Sequence, residues 1–376
     1  MHKKTVVACV RCVAPDGQVV KQVRSFDTFT DDLRALADWL ATQGATRVAL
    51  ESTGVYWKPV WYILEARGGF ELMLVNAQHI KQVPGRKTDV KDAEWIAELL
   101  QHGLLRPSFV PPKPIRQLRD LTRQRAQLIA QRARVINRIQ KVLEDANIQL
   151  AGVATDVLGA SGRAMIAALI AGEDDPAALA ERAKGSLRGK RAELCRALRG
   201  AIEEHHRFLL QALMDQVREL EGMIARFTAR IAEHLRPFEE LVRRLMTIPG
   251  VGRPAAEVIV AEIGVDMTRF ATAAHLSSWA GMCPGNDQSA GKRRSGKTTK
   301  GSRWLRAALV QVAWAASRSR QTGLRALYRR WSRRLGAKRA LVALGHRILV
   351  IIFKVLKDQT DYREPSAPTP ELGQAA

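Results

Sequence analysis

The chain has 376 residues with 60 Lys+Arg against 37 Asp+Glu, a formal net charge of +23. At 46% apolar and 26% charged residues it can bury real cores over two or three domains, which excludes a disordered basic tail. The charge favours a polyanionic partner (DNA, RNA or an anionic membrane surface), and four cysteines in this length exclude a disulfide framework and fit a reducing cytoplasm.

Residues 4–13 and 18–24 are rich in β-formers and flank Pro15-Asp16-Gly17, so they predict a hairpin in which Asp16 is turn chemistry. The start, Met1-His2-Lys3-Lys4 running into Thr5, is too short and strand-like for a signal peptide. Leu33, Leu36, Ala37 and Leu40 give Phe29–Gln43 helical spacing. Residues 47–51 and 71–75 read as buried strands, and 55–66 and 89–100 as helices, the latter with Ala93, Ile96, Ala97 and Leu100 on one face. The order is hairpin, helix, strand, helix, strand, helix. That is α/β, and it is the order of an RNase H-like domain lacking one strand.

The Pro-rich segment 111–114 breaks the chain. Leu121, Leu128, Val135 and Val142 then fall at heptad spacing, and Leu213, Val217, Leu220, Ile224, Phe227 and Ile231 repeat an a/d pattern within 202–235. Two long helices joined by a connector at 150–200 fit an antiparallel coiled coil, an oligomer seam, or core packing within one chain. The domains expected are 1–110, a helical coiled-coil region 111–240, a mostly α C-terminal domain 241–358 and a disordered tail 359–376. The longest apolar stretch, Ile348–Phe353, is far short of the roughly 20 residues a membrane-spanning helix needs.

The cations are unevenly placed. Gln288–Lys357 holds 19 Lys/Arg and no acid, and Lys113–Lys141 holds nine with Asp120 as the single acid. Both runs read as nucleic-acid surfaces.

Some acids sit where chemistry could use them. Glu51 ends a strand, and Asp89 and Asp92 lie three apart in the first turn of a helix. Carboxylates so placed can gather Mg²⁺ or Mn²⁺ for phosphodiester chemistry, or Asp89 and Asp92 simply complement the helix dipole. Ile248-Pro249-Gly250-Val251-Gly252 resembles a helix-hairpin-helix turn, in which Gly250 and Gly252 would aim N–H groups at a phosphate, or is an ordinary interhelical turn. Gly291–Thr298 matches the P-loop pattern by letter, but it follows a polar loop rather than a buried strand, so it is read as a decoy. Cys9 and Cys12 fall on opposite faces of a strand, which disfavours zinc. His205-His206 reads as helix surface. Ser289 lies in a loop beside cations, where a hydroxyl could attack a phosphodiester or do nothing.

Taken together, ALESTGVYW around Glu51, TDVKDAEWIAELL around Asp89 and Asp92, TIPGVG at 247–252 and LSSWAGMCPGNDQSAGKRRSGKTTKGSRWLR at 276–306 resemble the DEDD transposases of insertion-sequence family 110. The resemblance covers nearly the whole chain except the connector and the tail. It implies a RuvC-like first domain with four Mg²⁺-binding acids, a C-terminal domain with a serine nucleophile, and a bridge RNA that pairs with donor and target DNA. It also implies subunits assembled as a dimer or tetramer, with acids and serine drawn from different copies. Glu51, Asp89 and Asp92 match the second to fourth acids, and Ser289 matches the serine. Lys292, Arg293, Arg294, Lys297, Lys300, Arg303 and Arg306 would grip phosphates nearby. The family's first strand ends in a pattern like G-I-D-x-H-K. Met1-His2-Lys3 aligns with x-H-K, which puts the first acid immediately before Met1. A start placed too late is the expectation, and as written the chain is expected to bind metal weakly.

The reading is a cytoplasmic, nucleoid-associated DNA transposase. An acids-and-water nuclease and a non-catalytic nucleic-acid-binding relative are the alternatives.

Overall fold

A computed structural model describes residues 1–13, 17–52, 54–76, 88–284, 287–289, 292–295, 298, 300–320 and 322–364, with backbone alone for 287–289 and 292–295. The chain forms two compact units that part after Val110.

The first unit follows the expected order: β1 (Thr5–Val13), β2 (Val19–Asp27), α1 (Thr30–Thr42), β3 (Arg47–Glu51), α2 (Trp57–Arg67), β4 (Glu71–Val75) and α3 (Asp89–Gln101). β1 and β2 pair antiparallel from Thr5↔Asp27 to Val13↔Val19, and β3 and β4 pair parallel from Arg47↔Glu71 to Glu51↔Val75. The turn residue Asp16 lies outside the described residues. Leu33, Leu36, Ala37 and Leu40 of α1 are all buried, as their spacing requires, against Val6, Val10, Phe26, Leu50 and Leu74. Burying each large side chain contributes about 1.5–3 kcal/mol.

One feature departs from an RNase H-like sheet. The two ladders stay separate, so β1 and β3 each have one strand neighbour among the described residues. No residue of α3 is fully buried.

In the second unit α4 (Lys113–Asp145) is followed by the short helices α5 (Leu150–Val153), α6 (Ala160–Ile170), α7 (Pro176–Ala180) and α8 (Arg191–Ala197), and then by α9 (Glu204–Leu235). α4 and α9 pack as an antiparallel pair, because His206 near the start of α9 meets Asp145 at the end of α4. Leu128, Val135, Ile139 and Leu143 share a core with Leu210, Leu213, Val217 and Leu220, so the heptad seam is filled within the chain. The 150–200 segment is more than a connector, since Leu158, Met165, Ile166, Leu169, Leu179 and Leu194 complete that same core.

The rest comprises α10 (Glu239–Met246), α11 (Arg253–Ile263), α12 (Ala273–Trp279), a hairpin of β5 (Asp287–Ser289) and β6 (Lys292–Ser295), α13 (Arg303–Ala316), α14 (Gly323–Leu335) and α15 (Ala337–Asp358). Ile115, Leu118, Ile231 and Leu235 belong to the same core as Ile259, Leu309 and Ile348, so the boundary expected at 240/241 falls inside one core. The tail expected to be disordered from 359 is folded at its beginning. Tyr362 N–H donates to Thr247 Oγ1 at 2.9 Å, and Asp361 pairs with Arg243. Residues 365–376 lie outside the described residues.

Candidate nucleic-acid-processing site

A cleft of about 660 Å³ in the first unit is lined by β1, by β3 and by the inner face of α3. Glu51, Asp89 and Asp92 all line it. Each arrives there for a local reason. Glu51 is the last residue of β3, where Ser52 N–H still reaches Val75 O at 2.8 Å and keeps the strand end fixed. Asp89 opens α3 and Asp92 stands one turn on. Thr88 caps that turn by accepting Lys91 N–H at 3.3 Å. Carboxylates in a first helical turn are favoured by the dipole, so the same placement serves stability and chemistry. His2 Nε2 lies 3.2 Å from Asp89 Oδ1, while Arg11 Nη2 lies 3.9 Å from Glu98 further along α3. β1 and α3 therefore run side by side in one direction, with the acids at the end where β1 begins. Cys9 lines the same cleft, and burial first, then the charge of Glu94, raises its thiol pKa. A thiol so held is a poor thiolate nucleophile.

Asp145, His205 and His206 bring three ligand atoms within 4.8 Å of one another. Hydrogen bonding argues against a metal there. Glu203 N–H can only donate, and it donates to His206 Nδ1 at 3.1 Å. The neutral ring therefore carries its proton on Nε2, which faces Asp145 Oδ2 at 3.2 Å. This cluster caps α9 and ties it to the end of α4. His206 is buried, not the surface residue its sequence position implied.

In the second unit Ser289 lies in strand β5, paired with Lys292 of β6, and not in a loop. Lys292, Arg293 and Arg294 follow in β6. Their side chains and residue Lys297 lie outside the description. The extended backbone of 292–295 rules out a P-loop, which needs a phosphate-cradling turn opening a helix. The hairpin's base is held by the bridge Pro284↔Thr298. Beyond it Gly301 passes so close to α12 that a Cβ would stand 2.2 Å from Ala280 O. Sequence reading passed over this glycine. Its close approach sets where α13 begins, with Ser302 as N-cap, Arg303 and Arg306 in the first turns and Lys300 just ahead of them.

Gly250 takes φ +88° and faces α13, where a Cβ would meet Val312 O at 2.6 Å, whereas Gly252 is exposed at the start of α11. Close packing thus already accounts for Gly250.

The two basic runs separate sharply. On α4, Arg119 donates to the carbonyls of Ala261 and Glu262 at the end of α11. Arg123 chelates Glu262, Arg125 pairs with Glu257, and Arg132 pairs with Glu221. Burial lowers the Arg119 pKa to about 10 even with Glu262 opposing it. Much of this run is structural, which leaves Arg134, Arg138 and Lys141 as an exposed stripe. From Lys300 to Lys357, by contrast, no Lys or Arg forms a salt bridge with a described residue. Uncompensated cations of that density generate the field that attracts a polyanion.

A family model described as "Transposase", of the DEDD IS110 type, matches residues 1–148, and one described as "Transposase IS116/IS110/IS902 family" matches residues 242–329. A probable family 20 transposase of Pseudomonas aeruginosa is 27% identical over 305 residues, covering 78% of this chain and 80% of its own length. An uncharacterized 44.8 kDa protein of insertion element IS116 from Streptomyces clavuligerus is 26% identical, covering 81% of this chain and 82% of its own. A 43.6 kDa protein of insertion element IS110 from Streptomyces coelicolor is 32% identical over 155 residues, 41% of this chain and 36% of its own. An α/β unit with an acid-lined cleft and a cation-rich helical unit thus fall in the class of DNA-transposing enzymes. The chain belongs to the IS110 family of transposases. Among the described residues no helix is long and apolar enough to cross a membrane.

Proposed function

We propose that the chain cuts and rejoins DNA through Ser289, with Mg²⁺ or Mn²⁺ held by Glu51, Asp89 and Asp92 in a RuvC-like domain, under the guidance of a bridge RNA. The observation that carries this reading is the convergence of those three carboxylates on one cleft, although a helix and a strand separate Glu51 from Asp89. The donor set is all hard oxygen, which suits Mg²⁺ or Mn²⁺ better than thiophilic metals. Such an ion supplies Lewis acidity to a phosphodiester. His2 occupies Oδ1 of Asp89 and leaves Oδ2 open to a ligand role.

In the step proposed, Ser289 Oγ forms a bond to phosphorus as one bridging P–O bond to a sugar breaks. The serine gives up its proton and the departing sugar oxygen gains one. The linkage is conserved as a phosphoserine ester, so attack by a second sugar hydroxyl rejoins the DNA and frees the serine. Lys292, Arg293, Arg294, Lys297, Lys300, Arg303 and Arg306 hold the phosphates around it. Sequence choice rests on guide pairing, for which the exposed stripe Arg134, Arg138 and Lys141 offers a backbone grip. A dimer or tetramer lets acids and serine come from different copies.

The test incubates the chain and its Ser289→Ala variant with labelled element-end duplex, the element's flanking noncoding transcript and Mn²⁺. A denaturant-resistant protein–DNA adduct is expected for the parent alone. An adduct in the variant overturns the serine role, and cleavage without any adduct favours an acids-and-water nuclease.

A further inference from the structure

A second recess in the C-terminal unit, about 960 Å³, is lined by Arg243 and Arg244 of α10, Arg330 of α14, and Arg347 and Lys354 of α15. Residues 359–363 line it too, so the chain's own tail lies along a cationic groove. Asp361 lines the recess, and Glu364 reaches Gly323 at its edge. Asp361 accepts from Arg243 through both guanidinium nitrogens, Nη1 to Oδ2 at 3.2 Å and Nη2 to Oδ1 at 3.1 Å. That fork is the one a guanidinium also makes with a phosphate. Glu364 Oε1 accepts the Gly323 N–H at the head of α14. Between them Tyr362 is pinned through its N–H to Thr247 and its ring is partly buried against the main core, while Gln359 O accepts from Arg244. Arg330, Arg347 and Lys354 form no salt bridge with a described residue. Glu240 also pairs with Arg243 and Arg244, and Asp358 lines the recess together with the tail's own Arg363, so the acids sit at the Arg243 end while Arg330, Arg347 and Lys354 stay without an acid partner among the described residues.

We infer that this groove is a second seat for the phosphodiester backbone of duplex DNA, apart from the Ser289 region, and that Asp361 and Glu364 occupy it as phosphate mimics. The inference rests on the reading of the chain as a DNA-acting enzyme. Charge complementarity names the occupant: Arg330, Arg347 and Lys354 without acid partners among the described residues, beside an Arg243 fork that a tail carboxylate already engages. DNA entering the groove displaces the two carboxylates and exchanges them for phosphates. Tyr362 keeps the strap tethered while they leave. The tail therefore weakens DNA binding without any contact to Ser289 or the acid cleft being required.

The test is equilibrium DNA binding by the full chain, read by fluorescence anisotropy without divalent metal, so that it can fail independently of catalysis. The Asp361→Asn/Glu364→Gln variant is expected to bind a random-sequence duplex about 5- to 10-fold more tightly. A charge-matched control, Glu233→Gln/Asp266→Asn, removes two acids outside the groove and is expected to change affinity less than about twofold. Adding Arg330→Gln/Lys354→Gln should abolish the gain from the tail variant. Unchanged affinity in the tail variant overturns the inference. So does an equal gain in the control, or a gain that survives loss of the groove cations. A gain seen on duplex RNA but not on duplex DNA overturns the DNA assignment. Matching circular dichroism melts of parent and tail variant exclude unfolding, and each single acid substitution should give part of the gain.

Discussion

His2 Nε2 stands 3.2 Å from Asp89 Oδ1, which seats a side chain from the start of the chain on an acid of the α3 helix. Both partners are exposed, so the contact itself contributes little, about 0–1 kcal/mol. Its interest is competitive, because a cation that takes both oxygens of Asp89 has to displace the imidazole from Oδ1. Glu51→Gln, Asp89→Asn and Asp92→Asn are each expected to weaken Mn²⁺ binding by about 10–100-fold or more, since even outer-shell partners of metal ligands cost that much. His2→Ala is expected to tighten it by up to about fivefold. Titration calorimetry on all four variants checks this. Unchanged affinity in the three acid variants would remove the cleft as the metal site.

Glu262 illustrates a different use of charge. Its side chain is 1% exposed and accepts from Arg123 at 2.7 and 2.9 Å and from Ser302 at 2.8 Å, joining α4, α11 and α13. Glu262→Gln removes the charge but keeps the shape, leaving Arg119 and Arg123 uncompensated. The expected loss is about 3 kcal/mol, at the low end for a broken buried pair because Arg123 keeps about a third of its side chain in water. Urea melts measure it. The Arg123→Met/Glu262→Met double variant is expected to recover much of the loss.

These two sites mark how far the residues could be read unaided. The spacing of Leu33, Leu36, Ala37 and Leu40, and the strand ending in Glu51, carry their structure in local periodicity, so the acids were found on the elements they occupy. The fate of Arg123 was not local. A charge count sees a basic helix, but the partner that makes it structural lies 139 residues away. The helices of 150–200 escaped because α5, α7 and α8 hold 4, 5 and 7 residues, too few for a periodic face. Such helices form only through tertiary contacts. Ser289 read as a loop because Asp-Gln-Ser and Lys-Arg-Arg-Ser have little β-propensity, and pairing between them builds the hairpin instead.

Gly250 and Gly252 looked equivalent in the turn motif and are predicted to behave differently. At Gly250, φ is +88° and an added Cβ would meet backbone atoms of α13 at 2.6 and 2.7 Å. Gly250→Ala should cost about 2–4 kcal/mol from backbone strain and overpacking together. At Gly252 the nearest atom to an added Cβ is Pro254 Cδ at 3.9 Å, so Gly252→Ala should cost about 1 kcal/mol or less. Thermal melts of the two variants separate the cases. Equal, small losses would show that α13 gives way and that close packing is not what requires Gly250.

The open edges of the first unit lead to the last prediction. β1 and β3 each lack a second strand neighbour among the described residues, and both line the acid cleft. His2 N–H donates to Thr5 O at 2.9 Å, closing a two-residue turn at Lys3-Lys4. Chain fused ahead of His2 is thereby aimed back along β1, antiparallel to it, as a hairpin partner. A fused strand of about five apolar β-forming residues, the length of β3, would cover both free edges and the half-exposed face of α3. If it ends in Asp directly before Met1, its carboxylate lies at the end of the cleft that Met1, Glu51 and Asp89 line. The fusion is expected to raise Tm by several degrees, since even about 1 kcal/mol moves a domain of this size by about 4–8 °C. It is also expected to tighten Mn²⁺ binding about tenfold or more by adding a carboxylate ligand. The same fusion ending in Asn should keep the gain in Tm and lose the gain in affinity. A fusion that leaves Tm unchanged would show that the gap between β1 and β3 does not accept a strand, and the affinity comparison of the Asp and Asn forms isolates the charge from the fold.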